Sequence, residues 1–261
     1  QDVNDATARQ FKETLDRMAH GGDAKSGGCN VDDYNLIHSR VIDESKENTQ
    51  LAATARFQLA PIIVFNNELR MALANDFLDS FARMTKQRLL VSVADDVLVV
   101  KKRGRYLPGP DTKKMLLDLH DGKTDSHSGK LPLVTGMDIV LKHNVATSAR
   151  LTNGARGQLL RVVLDPREDQ ARLESAARDQ PFFLRFLPKC LLVHFPDADV
   201  QLEGLPPRVV PIYPLKKTFT HTVDVTALIT ETDKSTGKKS KIRVQTRRIE
   251  RYQFPIISAK A

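Results

Sequence analysis

Residues 131–164 read LPLVTGMDIVLKHNVATSARLTNGARGQLLRVVL and contain two short apolar runs, Met137–Leu141 and Leu159–Leu164, on either side of a polar segment. The polar segment ends in Asn153-Gly154, a pair that favours the tight primed turn of a β-hairpin, because both central residues of such a turn need positive φ. A bend or a close approach of two backbones is expected at Gly136 and Gly157. The stretch therefore predicts one hairpin of a small antiparallel β-barrel.

The same stretch carries only positive charge between Asp138 and Asp165. The basic residues in that span are Lys142, His143, Arg150, Arg156 and Arg161. A β-sheet surface that carries only positive charge is suited to bind the negatively charged phosphate backbone of a nucleic acid. An ordinary solvated hairpin of a barrel is the alternative, and the sequence leaves both interpretations open.

The composition agrees with a globular protein that has a polyanionic partner. The chain has 261 residues, with 40 Lys and Arg against 32 Asp and Glu, which gives a net charge of +8. This length predicts one large or two modest domains, and the positive charge favours polyanions. Tryptophan is missing and Tyr and Phe are few, so a base-stacking platform is not indicated.

The cysteine content and the hydropathy of the sequence indicate the cellular compartment in which the protein is expected. Cys29 and Cys190 form neither a CxxC pair nor a metal framework, which favours a reducing nuclear or cytoplasmic, intracellular setting. No apolar run approaches the length of a membrane span and no secretory signal pattern is present, so no membrane partner is expected. The first residue is Gln1 rather than Met, as expected for an excerpt of a longer chain.

The N-terminal part predicts two helices. Residues 7–20 place Phe11, Leu15 and Met18 on one face, and Gly21-Gly22 ends the helix. Asn30 caps a second helix over 31–40, and its expected buried side consists of Tyr34, Leu36 and Ile37. Residues 45–57 predict a polar helix or a linker.

Residues 61–93 predict a strand–helix–strand unit. PIIVF at 61–65 and LLVSV at 89–93 are apolar runs typical of buried strands, and a long amphipathic helix through about Gln87 joins them. Such a unit implies parallel strands and a right-handed crossover. Asn66 is expected to cap the helix.

The C-terminal part predicts a second hairpin from residues 218–230 and 240–254. Alternation places Arg243, Gln245 and Arg247 on one face, with Arg251 on the same face if no bulge intervenes. This face is either a nucleic-acid contact or a basic solvated edge that resists aggregation.

Catalytic chemistry is missing from the chain. Gly122-Lys123-Thr124 resembles the end of a phosphate-binding loop, but the position of the first glycine is Leu117 and no apolar strand leads into the segment. No magnesium-binding acid pair and no metal-ligand pattern is present, and His120 and His127 are expected to be solvated. The chain alone is therefore not expected to hydrolyse ATP.

Several passages resemble the Pif-type, RecD-like superfamily 1 DNA helicases, most of all the helicase-like genes of fungi. "LPLVxGMxIVLxxNV … LTNGARGQLLRVVLD" is similar to the hairpin that opens a small Src-homology-3-like barrel in the second motor domain of that family. Residues 204–214 resemble its "GLPxGxVPIxP" passage, and Asn66, Arg70 and Asn75 match its polar positions at the entry to the second RecA-like domain.

The resemblance implies an α/β fold, with a partial RecA-like parallel sheet and an inserted small antiparallel β-barrel. Residues 1–57 would be a helical segment leaving the first motor domain, 58–130 part of the second RecA-like domain, 131–250 the barrel-containing insertion, and 251–261 a strand returning to the RecA-like domain. The ATP-binding motor domain would lie outside this chain.

The resemblance also implies a function, namely the DNA-tracking portion of an ATP-dependent 5′-to-3′ DNA helicase of the kind used in DNA repair and recombination. Arg9 would be an arginine finger at the γ-phosphate of ATP, which the complete protein would bind with magnesium. The partners would be single-stranded DNA and the missing motor domain. The expected nucleic-acid contacts are Asn66, Lys142, Asn153, Arg156, Arg243 and Arg247. A nucleic-acid-binding module without a motor and a basic scaffold protein are the alternatives.

Overall fold

The computed structural model divides the chain into two compact units, residues 1–60 and 61–261. The residues that it describes are 6–20, 29–39, 41, 64, 66–100, 104–224, 230–232, 239–241 and 244–259.

The first unit contains the two predicted helices, α1 (Ala6–His20) and α2 (Val31–His38). Asn30 caps α2 as predicted, because its side chain accepts from the Asp33 amide and the Asp33 carboxylate accepts from the Asn30 amide. The buried Asp33 carboxylate also accepts from the Arg17 Nε and the Thr14 hydroxyl, at 2.9 and 2.8 Å. The Arg17 guanidinium and the Asn30 amide hold the pKa of Asp33 well below its usual range.

The predicted apolar faces of these helices are only partly correct. Tyr34 is 64% exposed and stacks on His38, while Leu15 and Met18 are about half exposed. The fully buried side chains at this contact are Thr14 and Asp33. A polar cluster therefore joins α1 to α2, and helical periodicity alone did not reveal it.

The described part of the second unit contains three α-helices, among them the long amphipathic helix that the sequence predicted. The helices are α3 (Asn67–Thr85), α4 (Pro110–Leu117) and α5 (Gln170–Ser175). The strands up to the centre of the chain are β1 (Leu90–Val93), β2 (Asp95–Val100), β3 (Gly104–Tyr106), β4 (Lys130–Leu133), β5 (Asp138–Leu141), β6 (Arg156–Val163) and β7 (Phe182–Phe183). The remaining strands are β8 (Cys190–His194), β9 (Val209–Ile212), β10 (Leu215–Asp224), β11 (Thr230–Thr232), β12 (Lys239–Lys241), β13 (Val244–Gln253) and β14 (Ile256–Ser258).

The central hairpin is confirmed as β5 and β6, which pair antiparallel within a five-stranded sheet of order β14-β5-β6-β8-β9. Inward-facing apolar residues of these strands form the larger core, among them Ile139, Leu141, Leu159, Leu191 and Val193. Gly157 is required there, because a Cβ would lie 2.7 Å from Val193 Cγ1 and 2.9 Å from the His194 carbonyl oxygen. The close backbone approach predicted at this glycine is thus present.

The turn of this hairpin differs from the predicted one. Fourteen residues, 142–155, separate β5 from β6, and they include a short 3₁₀ helix at Thr147–Ala149 and a bridge between Ala146 and Leu151. Asn153-Gly154 forms a local turn closed by the Ala155 amide and the Thr152 carbonyl, with positive φ at Gly154 (91°) and not at Asn153. This is the pattern of a type II turn, which needs glycine only at its third position, so the prediction of a tight primed turn was wrong.

The second predicted hairpin is confirmed as β10 and β13, which pair antiparallel in a four-stranded sheet of order β10-β13-β2-β3. The smaller core lies on one side of this sheet and contains Leu98, Leu116, Phe219, Val223 and Ile249. Strands β2 and β3 follow β1 directly, in a part of the sequence that showed no regular pattern. They form because β2 pairs with β13, a partner about 150 residues away in the sequence.

The parallel unit predicted for 61–93 is only partly visible. α3 and β1 form as expected, but the predicted first strand at 61–65 lies outside the described residues apart from Val64. In the described sheet β4-β1-β7, β1 pairs antiparallel with β4 and parallel with β7. The described part of the second unit is therefore a mixed α/β fold in which antiparallel pairing dominates.

Candidate nucleic-acid interface

Three arginines of the central hairpin region have exposed side chains: Arg150, Arg156 and Arg161. None of the three forms an ion pair with another described residue. Strict alternation would place Arg161 on the inward side with Gly157 and Leu159, but the pairing of β6 with β8 shifts between Leu159 and Arg161. A bulge of this kind resets the alternation and turns Arg161 outward. The bulge thus adds a cation to the outer face of β6.

The outer face of the sheet also contains a shallow cavity of about 410 Å³. Its lining includes Arg156, Gln158 and His194, and Asp138 lines it as well. In the sheet register Gln158 lies between Asp138 on β5 and His194 on β8. The cavity itself is therefore mixed in charge, since Arg156 and Asp138 both line it.

The two other predicted contacts of this hairpin lie in the connection 142–155. Lys142 is half-buried, and its amide donates to the Pro255 carbonyl at 2.8 Å, which fixes the end of β5 against the C-terminal segment. Asn153 is exposed, and its amide donates to the Asn144 side-chain oxygen at 2.8 Å. The backbone at both positions is thus held, while the Asn153 side chain faces solvent.

The basic face of the second hairpin points inward over part of its length. The β10–β13 register runs without a shift, so Arg247, Ile249, Arg251 and Gln253 lie on one side of β13, and the last three are fully buried. Arg247 is half-buried, and its Nε is buried without a partner among the described residues. Arg243 lies outside the described residues. The expectation that Arg251 belongs to a solvated cationic face was wrong.

Arg251 instead belongs to a buried ion pair. Its Nε and Nη2 donate to the two carboxylate oxygens of Asp96, at 2.7 Å each, and neither side chain is exposed to solvent. Arg251 Nη1 and Nη2 also donate to the carbonyl oxygens of His127 and Leu116, at 3.0 and 2.7 Å. The guanidinium carbon lies 5.1 Å from the centre of the Phe219 ring. This residue is therefore structural and is not available to DNA.

The remaining predicted site residues occupy separate elements. Arg9 is an exposed residue of α1. Asn66 caps α3 as predicted, because its side-chain oxygen accepts from the Glu68 and Leu69 amides at 2.7 and 3.4 Å. Both hydrogen bonds are accepted by the side-chain oxygen of Asn66, so the predicted capping role is confirmed. A contact between Asn66 and DNA stays a prediction.

The segment that resembles a phosphate-binding loop has another structure. Residues Asp121–Lys123 form a short 3₁₀ helix, and the buried Thr124 hydroxyl donates to the His127 carbonyl at 2.6 Å. His127 was expected to be solvated, but it is fully buried, and burial lowers its pKa to about 4. Among the described residues no group of three or more His, Cys, Asp or Glu side chains could hold a metal ion. Within the same part of the chain, no helix has the length and hydropathy needed to cross a membrane.

The described chain thus combines a mixed α/β fold with an antiparallel hairpin that exposes arginines. No protein-family model and no curated protein matches it. Among solved structures it is similar to the Pif1 helicase of Candida albicans, at 17% identity and a TM-score of 0.43, over 97% of this chain and 43% of that one. It is also similar to the Pif1 helicase of Bacteroides in complex with ADP-AlF3 and ssDNA, at 12% identity and a TM-score of 0.43, over 99% of this chain and 39% of that one. The chain spans about two fifths of the length of these proteins.

Proposed function

We propose that this chain is the DNA-tracking portion of an ATP-dependent 5′-to-3′ DNA helicase of the Pif type. Its single-stranded DNA contact is the surface formed by Arg150, Arg156 and Arg161, together with the predicted contacts Lys142 and Asn153. The observation that carries the proposal is the acid-free run 139–164, which folds as a hairpin region whose three arginines are exposed and have no ion-pair partner among the described residues. The order of the helicase-like passages along the sequence supports it.

The domain assignment belongs to the same proposal. Residues 58–130 are part of a RecA-like parallel domain, and 131–250 contain an inserted barrel of the Src-homology-3-like class. The five-stranded antiparallel sheet around β5 and β6 supports an inserted β-domain, and α3 with β1 supports part of a RecA-like unit. Residues 251–261 are assigned to the strand that returns to the RecA-like domain, and within them β14 (Ile256–Ser258) pairs with β5 of the hairpin sheet.

Binding would depend mainly on phosphate contacts. Arginines that neutralise phosphates release condensed counterions, so the affinity falls steeply with salt and depends little on base sequence. Such contacts suit a protein that moves along a strand, because every nucleotide offers the same phosphate group. The few aromatic residues of this chain agree with backbone contacts rather than with base stacking.

ATP and magnesium would be bound in the complete helicase by the missing N-terminal motor domain, which is the second proposed partner. Residues 122–124 do not fit a phosphate-binding loop, since Gly122 and Lys123 lie in a 3₁₀ helix and Thr124 is buried. Arg9 is the one residue that we assign to the nucleotide, as a finger reaching the γ-phosphate across the gap between the motor domains.

A charge-reversal experiment tests the DNA contact. A fluorescent single-stranded oligonucleotide is titrated with the wild-type chain and with the double variant Arg156→Glu/Arg161→Glu at several salt concentrations. We expect the double variant to bind at least tenfold more weakly at low salt. The slope of log affinity against log salt should fall by about 1.4, because each lost phosphate contact on a single strand contributes about 0.7.

The matched control is Arg83→Glu/Arg178→Glu, which changes the net charge equally at two exposed arginines of the same unit outside the hairpin, one on α3 and one in the turn after α5. It should retain most of the affinity. An equal loss in both double variants would show a non-specific charge effect, and unchanged affinity of the first would remove the hairpin from the interface. No binding by the wild-type chain at low salt would favour a scaffold protein. ATP hydrolysis by this chain alone would contradict the division between the motor and tracking parts.

A further inference from the structure

A row of three polar side chains crosses the outer face of the five-stranded sheet, beside one of the exposed arginines. In the sheet register Asp138 on β5 lies opposite Gln158 on β6, and Gln158 lies opposite His194 on β8. Asp138 and Gln158 are exposed and His194 is half-buried, while the residues on either side of His194 are buried. Because neighbouring strands are about 4.8 Å apart, the row is about 10 Å long.

Most of the hydrogen-bonding capacity of this row is unused. In the part of the chain that the structure describes, the Asp138 carboxylate accepts no hydrogen bond and forms no ion pair, and the His194 ring has no partner. Gln158 Nε2 donates to the Gly136 carbonyl at 3.2 Å, which leaves the side-chain oxygen of Gln158 without a described partner. The first two positions of the row therefore offer acceptors, namely two carboxylate oxygens and one amide oxygen.

The same three residues line the shallow cavity on this face. Its volume of about 410 Å³ lies in the range typical of small-molecule sites, about 300–1,000 Å³. The remaining lining consists of Gly157, Pro196, Ala259 and Arg156. Arg156 lies on the same face of β6 as Gln158, two residues before it, which is about 7 Å along the strand. One nucleotide could thus place its phosphate at Arg156 and its base in the cavity.

We propose that this cavity receives one base of the bound single strand and favours a base with an exocyclic amino group, namely cytosine, adenine or guanine, over thymine. The inference rests on the proposed function, because Arg156 would hold the adjacent phosphate. Cytosine carries the donor group N4–H₂ where thymine has the acceptor O4. Asp138 and Gln158 accept from such an amino group, whereas the O4 of thymine would face the carboxylate oxygens and be repelled.

The charge of Asp138 favours a base over a second phosphate at this position. A carboxylate repels a phosphate, but it forms a charge-assisted hydrogen bond with a neutral N–H donor, and such a bond is stronger than one between two neutral groups. The phosphate contacts are the same for every nucleotide and carry no sequence information. The arginines would therefore set the overall affinity, and the cavity would add a preference at one position of the strand.

The test compares two fluorescent oligonucleotides of equal length, one of cytosine and one of thymine, titrated with the whole 261-residue chain at low salt and above neutral pH. Both strands have the same number of phosphates. We expect the wild-type chain to bind the cytosine strand at least fivefold more tightly. Asp138→Ala should reduce this ratio to less than twofold. The variant should bind the thymine strand at least as tightly as the wild type, which also shows that it is folded.

The matched control is Asp76→Ala, which removes an exposed acid from α3 in the same unit and should keep the ratio of the wild type. Equal affinity of the wild-type chain for the two strands would overturn the base site and leave the arginine contact in place. An unchanged ratio in Asp138→Ala, or an equal decrease in Asp76→Ala, would also overturn it. If the wild-type chain binds neither strand, the DNA contact of the proposed function is wrong, and the base site is wrong with it.

Discussion

The Asp96–Arg251 pair offers the sharpest test of the fold, because Arg251 is a cation that was expected on a solvated face and lies in the interior. Replacing Asp96 by Asn keeps the shape of the side chain and removes its charge. The guanidinium then retains its two carbonyl partners and the contact with Phe219 but has no counter-charge. The positive charge of the guanidinium therefore stays buried.

The expected cost follows from this geometry. Both carboxylate oxygens accept from Arg251 at 2.7 Å, and both side chains are fully buried. Removing the charge of one partner of a buried ion pair destabilises a protein by about 3–5 kcal/mol, because the other charge remains uncompensated in the interior. For a unit of this size that loss corresponds to a decrease in melting temperature of about 10 °C.

The assay is urea unfolding followed by far-UV circular dichroism, with the free energy of unfolding extrapolated to water. Arg83→Met is the control, because neither side chain of the Arg83–Asp79 pair is buried (67% and 34% exposed), and it should cost less than about 1 kcal/mol. The double variant Asp96→Asn/Arg251→Met, which removes both charges, should be more stable than the sum of its single variants predicts. A loss below about 1 kcal/mol for Asp96→Asn would refute the buried pair.

Two further predictions concern single residues. Asn66→Ala should lower the free energy of unfolding by about 1 kcal/mol through loss of the α3 cap, whereas Asn66→Ser, measured beside it, should keep most of the stability. Loss of DNA affinity in Asn66→Ser at unchanged stability would show that Asn66 also contacts DNA. The pKa of His127 in the folded protein is about 4, which is below its usual value of about 6.5. Between pH 6.5 and pH 4 the unfolded chain therefore binds more protons than the folded protein, and the free energy of unfolding falls as the pH decreases. In unfolding experiments, the free energy of unfolding at pH 4 should be lower by about 3 kcal/mol. The variant His127→Asn should lack this part of the pH dependence. If the pH dependence is the same in that variant, His127 is not a buried neutral ring.

The sequence was sufficient for features that depend on neighbouring residues. The two hairpins, the helix starts at Asn30 and Asn66, and the close approach at Gly157 were all predicted, because alternation, capping side chains and glycine act over a few positions. The absence of a phosphate-binding loop at 122–124 was also predictable, since that loop has a fixed spacing of glycines.

The contacts between distant segments decided the rest. Alternation showed that Arg247 and Arg251 share a face of β13, but only the pairing with β2 made that face the buried one and placed Asp96 opposite Arg251. The same packing buried His127 beside His143 and turned Arg161 outward through a bulge. The alternation along a strand determines which residues share a face of that strand. Which of the two faces becomes buried depends on strands and helices that are far away in the sequence. For this reason the amino-acid sequence predicted the two hairpins and the capped helices of this protein, and the tertiary structure determined which of its cations remain exposed to solvent.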